Sequence, residues 1–178
     1  MRRTRRQGVA LLALVIAGFA SLATTEGPPG VSQEPKDHLS FTGDQRTEVR
    51  HVRIEVVAGD GDASVTADVP IETGGVNGKR PVALTVIRDR DGKSVLDDYG
   101  PNYQPGFLSS LAGNFDAIES CASGQTCAET FTFTFTRIPD DSRQSLDFDW
   151  SIRARSAYSA DTSTSPPPGA SLTVTISR

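Results

Sequence analysis

Between Thr130 and Thr136 the chain reads Thr-Phe-Thr-Phe-Thr-Phe-Thr, the strictest two-residue period in the sequence. Successive side chains of an extended strand point to opposite faces. Phe131, Phe133 and Phe135 therefore share one face and the threonines share the other. Three rings on one face need a partner to bury them, while β-branched threonine suits a face left in water. A helix would scatter the same rings around its circumference, because its period is 3.6.

The same alternation recurs along the chain. Val52, Ile54 and Val56 oppose His51, Arg53 and Glu55. Gly59-Asp60-Gly61-Asp62 reads as a turn, and Ala63, Val65, Ala67 and Val69 resume the period, so the two runs read as a hairpin that Pro70 closes. Val82, Leu84 and Val86 lead to Asp91-Gly92, which suits a two-residue type I′ turn before Val95-Leu96. Leu146, Phe148, Trp150, Ile152 and Ala154 alternate with Asp147, Asp149, Ser151, Arg153 and Arg155, and Leu172, Val174 and Ile176 close the series. No segment sustains a helical period. Strands with one dry and one wet face must bury the dry faces on each other. The expected fold is all-β: an antiparallel two-sheet β-sandwich, immunoglobulin-like or similar, of about six to eight strands. Tyr99 to Ser120 and Ser156 to Gly169 read as long connections.

The amino terminus has a separate logic. Arg2, Arg3, Arg5 and Arg6 precede an apolar run from Gly8 to Ala20, and Ser21-Leu22-Ala23 supplies small residues for a peptidase. That three-part order is an export signal over residues 1–23. The run is too short for the roughly 20 apolar residues of a spanning helix, so no membrane span is expected after cleavage. Residues 24–37, with Pro28-Pro29-Gly30 and Glu34-Pro35, read as a flexible linker, leaving 38–178 as one domain. Secreted, periplasmic and cell-envelope destinations all fit such a signal. In an oxidising compartment Cys121 and Cys127 are expected to pair with each other, closing a short loop.

The chain has 18 basic and 22 acidic residues, and four of the arginines lie in the leader. The remainder is strongly acidic and is expected to repel a phosphate backbone, which speaks against nucleic-acid binding. Catalytic machinery built on serine or cysteine needs a base, and His38 and His51 are the only histidines. No Gly-x-Ser-x-Gly elbow is present. Asp147 and Asp149 share a strand face and could serve glycosidic chemistry, although charge on a wet face is ordinary. Asp60, Asp62, Asp89 and Asp91 offer hard oxygens at turns, so calcium is a candidate ligand; aspartate and glycine are also simply what turns use. No other cofactor is indicated. Tyr99, Tyr103 and Phe107 surround a proline-glycine loop that could stack on a polysaccharide or cover an open end of the sandwich. The reading that results is an exported, non-catalytic module for protein interaction or a structural role. A carbohydrate-binding module on the Tyr99–Phe107 loop, and a hydrolase using scattered carboxylates, are the alternatives.

Overall fold

The computed structural model describes residues 30–72, 82–97, 111–137, 145–159 and 166–178. The leader and the aromatic loop bearing Tyr99, Tyr103 and Phe107 lie outside them. The described residues form eleven strands: β1 (Ser32–Gln33), β2 (Lys36–Thr42), β3 (Thr47–Val57), β4 (Ala63–Glu72), β5 (Val82–Arg88), β6 (Ser94–Asp97), β7 (Leu111–Cys121), β8 (Thr126–Arg137), β9 (Ser145–Ser151), β10 (Arg153–Tyr158) and β11 (Ser171–Ser177). Every pairing between them is antiparallel. One sheet runs β1-β10-β4-β9-β2 with β7 on the far side of β4, and the other runs β11-β3-β8-β5-β6.

The eleven strands lie in nine longer runs. Asp68 pairs with Arg153 and Ile71 with Trp150, an equal spacing on both chains, so β9 and β10 are one line against β4. The line is interrupted where Pro70 supplies no N–H to the ladder. The same holds at the edge: Gln33 faces Ala154 and Lys36 faces Ser151, so β1 and β2 are one line interrupted at Glu34-Pro35. There the Ile152 N–H still reaches the Pro35 carbonyl at 3.3 Å. From Gly30 onward the stretch expected to be linker is thus built into the sheet. An edge strand admits a proline that a central strand would reject. Strand β4, although central, also continues through Pro70 rather than ending there, at a register shift in its pairing with β7.

Three further expectations are corrected. The strand count exceeds six to eight, mainly because β2 and β7 were not read as strands. In β7, Val65 faces Ile118 while Thr66 faces Asp116, so one residue is extra. That bulge turns Ala117 and Ile118 both inward and erases the period. Second, β3 and β4 are not a hairpin, since they belong to different sheets and residues 58–62 arch between them. Third, the β5–β6 hairpin forms, but over four residues: Arg88 N–H meets the Lys93 carbonyl and Gly92 N–H meets the Arg88 carbonyl, both at 2.9 Å. Among the described strands β5 and β6 are the one hydrogen-bonded pair joined directly in sequence, and every other link between the nine runs changes sheet. The first two runs therefore occupy different sheets, whereas an immunoglobulin constant-type domain keeps its first two strands together.

The alternating rings meet between the sheets. Phe133 and Phe135 of β8 approach Trp150 of β9 with centroids at 5.5 and 4.8 Å, and Phe131 meets Phe115 of β7 at 5.2 Å. Leu39, Phe41, Val52, Ile54, Val56, Leu84 and Ile152 complete a core from both sheets. This is the packing of a β-sandwich.

Candidate functional site

Three of the links that change sheet meet at one pole of the sandwich. The 58–62 arch leaves β3 beside the loop joining β7 to β8, and the Cys121–Cys127 disulfide ties that loop across the two sheets. Its Cα atoms are 5.8 Å apart. The two arches are stitched by backbone hydrogen bonds: Ala58 N–H to the Gln125 carbonyl at 3.0 Å, and Gly124 N–H to the Gly59 carbonyl at 2.7 Å. Ser123 Oγ also donates to the Gly59 carbonyl at 3.3 Å. On its other flank Gly59 abuts the loop before β11, where an added Cβ would stand 2.7 Å from the Pro168 carbonyl oxygen. The backbones touch because no side chain separates them.

Asp62 is the knot of this pole. Its carboxylate accepts the Ser123 N–H at 2.9 Å, its own N–H donates to Ser159 Oγ at 3.1 Å, and its carbonyl accepts the Ser159 N–H at 2.9 Å. Asp60, Ala122, Ser123, Gln125 and Thr126 are exposed around it. The result is a surface of short loops, polar and small in side chain, held by at least six hydrogen bonds and one disulfide.

Three of the four aspartates considered for calcium, Asp62, Asp89 and Asp91, are engaged separately. Asp89 Oδ1 accepts the Thr132 hydroxyl at 2.7 Å, and Asp91 Oδ1 accepts the Lys93 N–H at 3.1 Å. Among the described residues no three His, Cys, Asp or Glu side chains gather as a metal site would require. Asp62 and Asp89 act as stitches in turns, which is the ordinary use of aspartate there.

Asp147 and Asp149 do meet a histidine. His38 lies opposite Asp149 in the β2–β9 ladder; its Nδ1 is 2.8 Å from Asp149 Oδ1 and its Nε2 is 3.8 Å from Asp147 Oδ1. Arg153 and Arg155 follow on the same strand face, where they could balance these acids. Arg153 instead reaches Asp68 at 3.2 Å and Glu34 at 3.3 Å. All three members of the histidine cluster are more than half exposed, where ion pairs are weak. His51, on the wet face of β3, stands 3.3 Å from the Thr132 hydroxyl that bonds Asp89.

Periodicity passed over three charged groups on the dry side, Arg50, Arg88 and Arg137. Arg50 is in phase with Val52 and Ile54 and is only 4% exposed. Its guanidinium meets Asp37 of β2 and Glu48 of β3, each at 2.7 Å, closing the pole opposite the disulfide with an ion network that spans the sheets. Burial opposes ionisation of Asp37, but the hydrogen bond and charge of Arg50 outweigh it, and the carboxyl is held below the usual aspartate range. Burial likewise opposes the charge on Arg50, and Glu48 and Asp37 overcome it, so its pKa is raised.

No family model, no curated protein and no solved structure matches this chain. Among the described residues no helix is long and apolar enough to cross a membrane.

Proposed function

We propose that this is an exported, non-catalytic interaction module that presents the disulfide-bearing pole to a protein partner outside the cytoplasm. The observation that carries the reading is the pre-ordering of that pole. Loops on a rigid scaffold are where sandwiches keep their recognition residues, and a surface already ordered loses little entropy on binding. Exposed main chain, serine and glutamine side chains suit a hydrogen-bonded, partly wet interface. The arginine-headed leader and the disulfide support the extracytoplasmic setting, since such bonds persist in oxidising compartments. The acidic balance of the rest of the chain supports a partner other than nucleic acid.

The test is capture. The purified domain is immobilised and exposed to secreted and envelope fractions of its source cell, and bound protein and glycan are identified by mass spectrometry. Ala122→Arg and Gln125→Arg place bulk on the pole, while Thr42→Arg places it at the opposite end as a control. A protein partner lost with the first two variants and kept by the third, at unchanged melting temperature, is the expected result. Equal capture by all three variants, a polysaccharide as the only bound species, or a reproducible hydrolase activity of the purified domain would overturn the proposal.

A further inference from the structure

We infer that β11 is a self-association edge, and that two copies of this chain join by antiparallel pairing of β11 with β11. The inference does not rest on the function proposed for the disulfide pole. Strand β11 ends the order of its sheet and pairs only with β3 among the described strands. The nearest edge of the other sheet, β1, runs beside it but takes its hydrogen bonds from β10.

The four boundary strands of the two sheets differ in how they resist pairing. Natural edges are guarded by charge, shortness or bulges. Strand β2 carries Lys36, Asp37 and His38. Strand β7 is bulged against β4 and carries Asp116 and Glu119. Strand β6 has four residues and ends in Asp97. Strand β11, Ser-Leu-Thr-Val-Thr-Ile-Ser, has seven residues, an unbroken register with β3, and no charge or proline. Of these four edges it alone carries no charged residue, so no register of self-pairing can set like charges against each other. Its apolar face is also unfinished: Leu172 is buried, but Val174 and Ile176 are only partly covered.

A second copy supplies what is missing. Antiparallel pairing about Val174 places Thr173 opposite the partner's Thr175 and Leu172 opposite the partner's Ile176. Every apolar residue then lies beside an apolar one on the core side. The contact is isologous, so it closes as a dimer and does not propagate. Backbone hydrogen bonds supply the affinity, as in other cases of strand addition.

Sedimentation of the purified protein over a range of micromolar concentrations is expected to show a dimer. Two double variants localise the contact: Thr173→Lys with Thr175→Lys, and Thr173→Glu with Thr175→Glu. Both change exposed positions, and thermal melting checks that each still folds. Each variant alone is expected at the monomer mass, because like charges oppose across the two-fold axis. An equimolar mixture is expected to return to the dimer mass. A wild-type monomer throughout the range would overturn the inference. A dimer that persists in both double variants, or variants that fail to recombine when mixed, would overturn it equally.

Discussion

Arg50 shows how a single side chain can decide the character of one end of the fold. It stands where the period of β3 calls for an apolar residue, and the sandwich tolerates it because Asp37 and Glu48 arrive from two different strands. Removing Arg50 leaves the partly buried Asp37 and Glu48 carboxylates without their shared counter-charge. Arg50→Ala is therefore expected to lower stability by roughly 3 kcal/mol in denaturant titration, and replacing Arg50 and Asp37 together by Met and Leu to cost less. The depressed carboxyl of Asp37 sets a pH dependence. A folded-state pKa below the unfolded one contributes stability that is present above the ordinary aspartate range. That stability is lost as pH falls through the lowered value. Acid melting curves of Asp37→Asn should lack this part of the acid loss, and a parallel acid dependence in wild type and variant would contradict the assignment. Gly59 makes a second test at this scale. Its φ is +63 and a Cβ would strike the Pro168 carbonyl, whereas Gly124, with φ +74, has open space around it. Gly124→Ala should cost about 1 kcal/mol for the left-handed backbone alone, and Gly59→Ala clearly more. Neither the Asp37 contact of Arg50 nor the Pro168 contact of Gly59 was legible in the sequence, because each partner lies in another strand or loop.

The central strands were legible, since rings and β-branched residues at strict period two leave little choice. Trp150 was placed in phase with Phe148 and Ile152, and all three are buried. Because Trp150 touches Phe133 and Phe135 of the facing sheet, Trp150→Ala is expected to cost about 3–5 kcal/mol. A loss under about 1 kcal/mol in chemical denaturation would show that the sheets do not rest on this contact. The edges were harder to read for physical reasons. Strand β7 hides its period behind a bulge. The β1–β2 line contains a proline that only its edge position permits. Turn chemistry was misread in a related way: Gly59-Asp60-Gly61-Asp62 is as suited to an arch between sheets as to a hairpin within one. Local sequence does not distinguish them, and pairing partners far along the chain decide. For the same reason Asp62 was legible as a turn residue, and its bonds to Ser123 and Ser159 were not. His38 joined Asp147 and Asp149 only once β2 was seen to pair with β9.

At the scale of the whole molecule, the links that change sheet put nearly every strand beside a partner distant in sequence, so the two sheets must assemble together. They also stack three loops at one pole, where a disulfide closing seven residues adds only ~2–2.5 kcal/mol by chain entropy. Its larger consequence is local order, which the proposed recognition role requires: a surface fixed before any partner arrives. Amide hydrogen exchange measures it directly. The N–H groups of Ala58, Asp62, Ser123, Gly124, Gln125 and Ser159 all donate within the pole. They should exchange far more slowly than free-chain amides, and reduction of Cys121–Cys127 should release Ser123, Gly124 and Gln125 first while the β3–β8 ladder stays protected. Exchange of these six amides at free-chain rates in the oxidised protein would contradict the claim that the pole is pre-ordered.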